Sequence, residues 1–428
     1  MRLVAVEGDA TTMPTAVFFG AEALRSGETE RYYGRAAVSA YVDGLDGRLM
    51  RSMKSVLGSP IVEQHTDVGG GRAMRYVDVI ADYLRHLKHV AEREGGVPLR
   101  RAVIGRPVFF VDDDPVRDAK AERSLEEAAR SVGFQQVSFQ FEPIAAAFDH
   151  ERHVSREEIV LVADIGGGTS DFSVVRIGPE RMRHVERKDD ILANHGVHVA
   201  GTDFDRTIEL ARIMPELGYR SRGPVKEAGV LPREVPSPVY FDLATWHLIN
   251  TVYQPQRMAE LRSLRSFYGD AGFHDRLMTV VNHQLGHDLA GRAERAKIDT
   301  AAGGETRIDL DLVERGLAAS LDAPQAAQAL QEQVDSIVAC ALDTVRRAQL
   351  APTQIDTVFF TGGSTGLRAL TDRLASHFHG SRIVRGDPFA SVAAGLGLHA
   401  ERLYGVSATK QSEATSAPMR RPPRSPRA

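Results

Sequence analysis

The stretch Val160-Leu-Val-Ala-Asp164-Ile-Gly166-Gly167-Gly168-Thr169-Ser170-Asp171 is the most informative part of this chain for its fold. Its apolar half is typical of a strand buried on both faces, and it ends with the Asp164 carboxylate. Three glycines let the backbone turn with its N–H groups exposed, and such N–H arrays bind phosphate. Thr169 and Ser170 add hydroxyls, while Asp164 and Asp171 could hold a hydrated Mg²⁺ ion. The stretch predicts a phosphate-binding turn.

This turn is not the phosphate loop of the Walker A type. No Gly-Lys-Ser/Thr follows the glycines, and the residues from Asp171 to Ile177 predict a second strand instead of a helix. Taken alone, three glycines also suit a tight hairpin whose acidic side chains face solvent. The buried strand that ends in an aspartate favours phosphate binding.

Composition sets the broad class of the chain. Its 428 residues are 43% hydrophobic and 26% charged, which is ordinary for globular proteins and excludes a mainly disordered or fibrous chain. The net charge of −4 does not favour nucleic-acid binding or a polybasic membrane contact. The single cysteine, Cys340, excludes an internal disulfide framework and fits a reducing compartment as a core thiol.

No apolar run is long enough to cross a bilayer. The best one, Ile159–Ile165, is short and is followed by glycines. The N-terminus carries two acids within nine residues and lacks the pattern of a signal peptide. We therefore expect a cytoplasmic protein without a membrane partner.

Apolar runs and amphipathic helices alternate in two stretches, which predicts α/β architecture with two sheets. In the first stretch we predict the following elements: strands Arg101–Ile104 and Val137–Phe141, a helix from Arg117 to Val132 capped by Gly133, a turn at Glu142-Pro143, and a helix Ile144–His150. In the second we predict strands Ile159–Ile165, Asp171–Ile177 and Thr357–Thr361, a long helix over Leu330–Val345, and a helix bearing Leu367, Leu370 and Leu374.

Two regions differ from this alternation. From Asp203 to Lys297 the chain is more polar and rich in proline, yet Phe241–Val252 is apolar, so we expect an inserted subdomain. The segment 408–428 holds four prolines, four arginines and no aromatic residue, and that composition predicts a disordered basic tail from about residue 405.

Three further sites are weak when each is taken alone. Thr361-Gly362-Gly363-Ser364-Thr365 lies between a strand and a helix and could approach a flat ligand, or could simply cap that helix. Glu142 precedes a proline at the end of a strand and could be a solvated acid. Lys54 could be an ordinary surface lysine.

Together these segments resemble the ATPase domain of the heat shock protein 70 (DnaK-like) chaperone family, and most of all its YegD-like branch. The motifs that carry the resemblance keep the order of the family between about Arg2 and Leu398: Lys54 in Lys-x-x-Leu-Gly, Ile104–Pro107, Phe141–Ala147, Asp164–Asp171, Gly201–Asp205, Ala293–Lys297, Thr361–Thr365 and Val392–Gly395. Any one of them is weak, but eight in order are specific.

The resemblance implies an actin-like two-lobed ATPase fold with ribonuclease-H-like lobes. Residues 1–157 would form lobe I and residues 158–398 lobe II, with a subdomain inserted at about 203–297 and the tail at 405–428.

The resemblance also implies a site for ATP or ADP with Mg²⁺. Asp164 and Asp171 would serve the metal, and Lys54 and Glu142 would act with Asp164, Thr169 and Asp171 in catalysis. The remaining ligand contacts would come from these residues: Gly166, Gly167, Gly168, Thr169 and Ser170 for phosphate, and Glu294, Lys297, Gly362, Gly363, Ser364 and Thr365 for the nucleoside.

The chain departs from the family in three places. Residues Met1–Pro14 look like the third strand of lobe I, so the opening phosphate hairpin of roughly fifteen to twenty residues would be missing. A misassigned start codon or a decayed ATPase would explain this. Ile298 and Ala301 stand where the family packs an arginine and a serine on adenine. Nothing after Leu398 resembles the acidic-aliphatic linker or the peptide-binding β-sandwich of the family.

The sequence therefore predicts a slowly hydrolysing, chaperone-like ATPase without a peptide-binding domain. A non-catalytic nucleotide-binding scaffold is the main alternative, and a small-molecule kinase of the same fold is a third. A co-chaperone or other protein partner cannot be named from the residues, and nothing favours nucleic acid.

Overall fold

The computed structural model describes residues 2–23, 29–51, 53–57, 59, 61–69, 71–111, 114–225, 231–387 and 390–405. These residues fold into two compact units. The first is built from the described residues up to 157, from 177–190 and from 390–405, and the second from 158–176 and 191–387. The chain thus returns to the first unit twice. The predicted tail lies outside the described residues, apart from Gly405.

The strands, in chain order, are β1 Ala16–Ala23, β2 Thr29–Tyr33, β3 Gly47–Arg51, β4 His65–Asp67, β5 Ala73–Arg75, β6 Arg101–Arg106, β7 Gln136–Phe141, β8 Glu158–Ile165, β9 Ser170–Ile177, β10 Ile191–Val197, β11 Glu305–Asp309, β12 Ala318–Asp322, β13 Thr357–Thr361 and β14 Arg382–Arg385.

The α-helices are α1 Gly34–Val42, α2 Tyr76–Gly95, α3 Pro115–Ser131, α4 Glu142–Glu151, α5 Gly201–Ile208, α6 Pro238–Leu243, α7 Ile249–Val252, α8 Pro255–Ser263, α9 Ala271–Asn282, α10 Gly286–Thr300, α11 Ala323–Ala329, α12 Gln331–Arg347, α13 Arg368–Ala375 and α14 Ser391–Tyr404. In the part of the chain that the structure describes, no helix is both long enough and apolar enough to cross a membrane.

The second unit is organised around a five-stranded sheet in the order β10-β9-β8-β13-β14. β13 runs parallel to both β8 and β14, and β10 runs antiparallel to β9. The apolar run of β8 is buried as predicted, because Val160, Leu161 and Ile165 are fully inaccessible to solvent. In the parallel register Thr361 lies opposite Asp164, so the carboxyl ends of β8 and β13 lie side by side.

One large apolar core holds this unit together, and the predicted long helix, α12, contributes Val334, Ile337 and Val345 to it. Cys340 on the same helix is buried, as predicted for a core thiol, and burial raises its pKa to about 11. The polar region after Asp203 folds into the helices α5 to α10. Several apolar side chains of its predicted apolar segment are fully buried: Leu243, Ile249 and Val252.

The first unit contains an antiparallel sheet in the order β2-β1-β3 and two pairs of strands, β4-β5 and the parallel pair β6-β7. The predicted strands Arg101–Ile104 and Val137–Phe141 are confirmed as β6 and β7, and the predicted helix between them is α3. Gly133 follows that helix with φ +98°, the left-handed conformation of a helix end. The prediction of two sheets is wrong, because the described strands of this unit do not join into one sheet.

The predicted turn at Glu142-Pro143 is also wrong, because both residues belong to the first turn of α4. The fixed φ of proline suits the start of a helix, and an acid there interacts favourably with the exposed N–H groups.

The packing of α14 on α4 explains the glycine of the motif Val392–Gly395, because a Cβ at Gly395 would overlap the backbone of Ala145 in α4. Only glycine allows these two helices to approach so closely.

The described residues between Arg2 and Pro14 do not form the strand expected there. The backbone reverses at Glu7–Ala10, where the Ala10 N–H donates to the Glu7 carbonyl at 3.0 Å and Gly8 has φ +57°. Glu7 instead accepts a hydrogen bond from the Arg35 backbone N–H at 2.6 Å, near the N-terminus of α1. This turn and the contact with α1 stand where the strand was expected.

Candidate functional site

The loop between β8 and β9, residues Gly166–Thr169, is called the glycine loop below. It is closed by a hydrogen bond from the Gly166 N–H to the Thr169 carbonyl at 3.0 Å. Gly167 and Gly168 are exposed, and no atom lies within 4 Å of the position where a Cβ would stand on either. A ligand can therefore approach the backbone of this loop closely.

The N-terminus of α5 fixes the glycine loop from the side. The Gly201 N–H donates to the Gly166 carbonyl at 3.2 Å. Thr202 donates twice to the Gly167 carbonyl, from its N–H at 2.7 Å and from its Oγ1 at 2.8 Å. These bonds hold the loop carbonyls against α5 and so set the direction of the peptide groups.

The predicted metal and catalytic residues of the second unit lie on or next to the loop. Asp164 is partly exposed near the end of β8, and the exposed Asp171 is the second residue of β9. Thr169 Oγ1 donates to Asp171 Oδ2 at 2.8 Å. Ser170 is different, because it is fully buried and its hydroxyl donates to the Val199 carbonyl at 2.7 Å. Its hydroxyl stabilises the loop base and does not face solvent.

Two carboxylates are too few to hold a metal ion by protein ligands alone, but they suit Mg²⁺. Within the described ranges no group of three or more His, Cys, Asp or Glu side chains could hold a metal ion. Mg²⁺ keeps several waters and is commonly bound by one or two carboxylates together with substrate phosphates. Asp164 and Asp171 fit that pattern.

The turn Gly362–Thr365, called the serine turn below, follows β13 and lies beside the glycine loop. Ser364 Oγ donates to the Gly166 carbonyl at 2.7 Å, which joins the two turns directly. Thr365 is buried, and its Oγ1 donates to the Gly362 carbonyl at 2.7 Å. Gly362 has φ +89°, and a Cβ there would overlap the carbonyl oxygen of Ile165. Gly363 begins the short 3₁₀-helix of this turn.

Glu294 and Lys297 lie three residues apart on α10, so they share a face of that helix. Glu294 is exposed. Lys297 Nζ forms an ion pair with Asp205 Oδ1 at 2.6 Å and lies 3.4 Å from the Gly201 carbonyl. The second predicted nucleoside-contacting residue is thus tied to the helix that fixes the glycine loop.

Lys54 and Glu142 belong to the first unit, where they form an ion pair. Lys54 lies in the short 3₁₀-helix Met53–Val56, and its side chain is 48% exposed. Glu142 begins α4 and packs over β6 at Gly105. The structure therefore brings together the two residues predicted to be catalytic in this unit.

Sequence reasoning did not anticipate the raised pKa values of two acids, Asp205 on α5 and Glu209 directly after it. Burial raises the pKa of Asp205 to about 6, although Lys297 opposes the shift. Glu209, four residues later, is fully inside the protein, and burial raises its pKa well above the ordinary value, with a further contribution from Asp205. Asp205 is part of the motif Gly201–Asp205, but its partner, Lys297 on α10, is distant in sequence.

Comparison with known proteins supports the resemblance. A family model described as "Hsp70 protein" matches residues 32–213, which include Lys54, Glu142 and the glycine loop. A "Chaperone protein HscA homolog" of Haemophilus influenzae (strain 86-028NP) is 32% identical over 152 residues, covering 34% of this chain and 22% of that protein.

Two longer matches cover most of this chain. "Chaperone protein DnaK" of Elusimicrobium minutum is 25% identical over 331 residues, or 75% of this chain and 42% of the relative. An HscA homolog of Actinobacillus pleuropneumoniae serotype 5b is 25% identical over 334 residues, or 77% and 41%. The chain thus spans less than half the length of these relatives. The ordered motifs, the family-model match over residues 32–213 and these similarities together show that the chain is related to the Hsp70 family.

Proposed function

We propose that this chain binds ATP and ADP together with Mg²⁺ and hydrolyses ATP slowly, as a chaperone-like ATPase. The relationship to the Hsp70 family implies the actin-like ATPase fold. The observation that carries the proposal is the glycine loop, which is open on its glycine side and joined to the serine turn at the carboxyl ends of β8 and β13. In open α/β sheets, ligands bind at the carboxyl ends of strands.

In this proposal the backbone N–H groups of Gly167 and Gly168 bind the phosphates, and Thr169 is held toward Asp171 by its hydroxyl bond. Asp164 and Asp171 hold the water shell of Mg²⁺, which when bound offsets the negative charge of the phosphates. Glu294, Lys297 and the serine turn contact the nucleoside. The resemblance to the family supports these assignments, and it likewise gives Lys54 and Glu142 the task of placing the attacking water.

The turnover of ATP by two variants tests this function. We expect Lys54→Ala and Asp164→Asn each to lower ATP turnover by about a hundredfold, because the first removes the cation proposed to offset charge on the phosphoryl group and the second removes a carboxylate proposed to hold the water shell of Mg²⁺. Lys120→Ala and Asp372→Ala, which alter exposed lysine and aspartate side chains, are the matched controls. Turnover that is unchanged in both active-site variants would contradict the catalytic assignment.

A nucleotide-binding scaffold is the second candidate. Ile298, which follows Lys297 on α10, is 57% exposed at a position where the resemblance implies an arginine on adenine. Tight ATP binding with no ADP formed after many hours would favour this candidate over the ATPase.

We propose an inserted subdomain at about 203–297, a relationship to the YegD-like branch, action without a peptide-binding domain, and a cytoplasmic location. The single cysteine and the ordinary net charge support the last of these. A protein partner or co-chaperone is compatible with the family but is not identified by any residue described above.

A further inference from the structure

The ion pair between Asp205 and Lys297 lies directly behind the glycine loop. Lys297 Nζ is 2.6 Å from Asp205 Oδ1, and the two side chains are only 14% and 19% exposed. The second contact of the ammonium group is the Gly201 carbonyl at 3.4 Å. Asp205 is therefore the short-range charged contact that holds the end of this flexible side chain.

The helix that carries Asp205 also holds the loop. Its first residues, Gly201 and Thr202, donate to the carbonyls of Gly166 and Gly167. Asp205 follows about one helical turn later on the same helix. A single short helix thus connects the phosphate-binding loop to the lysine predicted to contact the nucleoside.

The surroundings of Asp205 contain both signs of charge. Lys297 on α10 favours its ionised form, while Glu294 on the same helix and Asp203 on α5 oppose it. The next acid along the chain, Glu209, is completely buried, and its Oε1 accepts no hydrogen bond from the described residues. Burial and the nearby Asp205 both disfavour the ionisation of Glu209 and raise its pKa.

We propose that Asp205 is a positioning residue that fixes the Lys297 ammonium group at the nucleoside side of the glycine loop. The inference rests on the proposed nucleotide-binding function and adds a residue to it. Asp205 touches neither phosphate nor metal in this account. It acts through Lys297, whose four-carbon stem would otherwise sample many conformations.

The first test compares Mg·ADP with Mg·tripolyphosphate, which lacks a nucleoside. We expect Asp205→Asn to weaken Mg·ADP binding about tenfold, a loss between those of an exposed and a fully buried ion pair. Binding of Mg·tripolyphosphate should stay within twofold of the wild type. Lys297→Met should weaken Mg·ADP to a similar extent, and the double variant should be no weaker than Lys297→Met alone, because the two residues act as one unit.

The pH profile gives a readout that a purely structural role would not move. Protonation of Asp205 releases the lysine, so the affinity of the wild type for Mg·ADP should fall when the pH is lowered through about 6. Asp205→Asn should lack this step. An affinity step of equal size in the variant would overturn the proposal.

A second measurement needs no nucleotide and separates the two proposals. Acylation of lysine requires that the reagent reach the amine, and in the folded protein the Lys297 amine lies 2.6 Å from the Asp205 carboxylate. The sequence has seven lysines, so mass spectrometry can follow each one. We expect Asp205→Asn to raise the acylation rate of Lys297 several-fold relative to Lys88, which keeps its own ion pair with Glu92 at 2.6 Å.

The outcomes are distinguishable. Faster labelling of Lys297 in a protein that binds no nucleotide would retain the positioning role and contradict the proposed function. Labelling of Lys297 that is unchanged in Asp205→Asn, with unchanged Mg·ADP affinity, would overturn the positioning role while leaving the nucleotide site intact.

Discussion

The glycine loop of the second unit and the Lys54–Glu142 pair of the first unit carry the predicted chemistry, but they are built differently. The loop is fixed by hydrogen bonds from α5 and from Ser364 to its carbonyls, at 2.7 to 3.2 Å. Lys54 lies in a short 3₁₀-helix, is about half exposed, and forms an ion pair with Glu142. The glycine loop is therefore held by several hydrogen bonds, whereas the charged pair is a single, partly exposed ion pair.

Substitution of Gly362 should have the largest effect on stability and on ATP binding. We expect Gly362→Ala to lower the free energy of unfolding by about 3 kcal/mol, because the residue has φ +89° and its Cβ would overlap the carbonyl oxygen of Ile165. ATP binding should be lost with it, since the serine turn could no longer hold the glycine loop. Urea denaturation and ATP titration measure the two effects.

Gly366→Ala is the matched control, because Gly366 directly follows the serine turn, at the end of its 3₁₀-helix, and no atom lies within 4 Å of its added Cβ. We expect this variant to be nearly as stable as the wild type. Equal stability of the two variants would show that the close contact at Gly362 does not constrain the site.

The buried acid behind the loop gives a smaller effect that depends on pH. Burial raises the pKa of Glu209, so the folded protein retains a proton that the unfolded chain has lost above about pH 5. The stability contributed by the protonated acid is therefore lost as the pH rises, by up to about 1.4 kcal/mol per pH unit. Glu209→Gln should remove this decline, which denaturation between pH 5 and 8 would show.

Glu332→Gln, which changes an exposed acid at the start of α12, should keep the pH dependence of the wild type. If Glu209→Gln also keeps it, then Glu209 is ionised in the folded protein and must have a compensating partner.

The smallest effect on stability is expected in the first unit. Because Lys54 and Glu142 form a partly exposed ion pair, Lys54→Met and Glu142→Gln should each change the free energy of unfolding by no more than about 1 kcal/mol. Thermal denaturation of the single and double variants measures this. A loss of several kcal/mol in either variant would mean that the pair is structural, and the contrast between the two units would disappear.

The sequence predicted those parts of the fold that depend on local patterns. Continuous apolar runs identified β8 and β13, and three successive glycines identified the loop after β8. Helical spacing of apolar residues identified α12. Local patterns failed where contacts with other parts of the fold determine the conformation. Glu142 and Pro143 continue into α4, and the residues around Gly8 turn back to cap α1.

The candidate site, too, was predictable only where it depends on local sequence. The predicted residues of the glycine loop are where their motif placed them, but the burial of Ser170 and Thr365 depends on contacts with Val199 and Gly362. The pairing of Asp205 with Lys297 joins residues distant in sequence, so no local pattern could reveal it. The burial of Glu209 depends in the same way on the packing of the second unit.

Titration of ATP into the purified chain, with Mg²⁺ and again with excess EDTA, tests the central claim most directly. The account predicts saturable binding of one ATP per chain in Mg²⁺ that is at least tenfold weaker in EDTA and at least tenfold weaker in Asp164→Asn. The control Asp372→Ala should bind as the wild type does. Absence of binding in Mg²⁺, or equal affinity in Mg²⁺ and EDTA, would contradict a magnesium-dependent nucleotide site at the glycine loop.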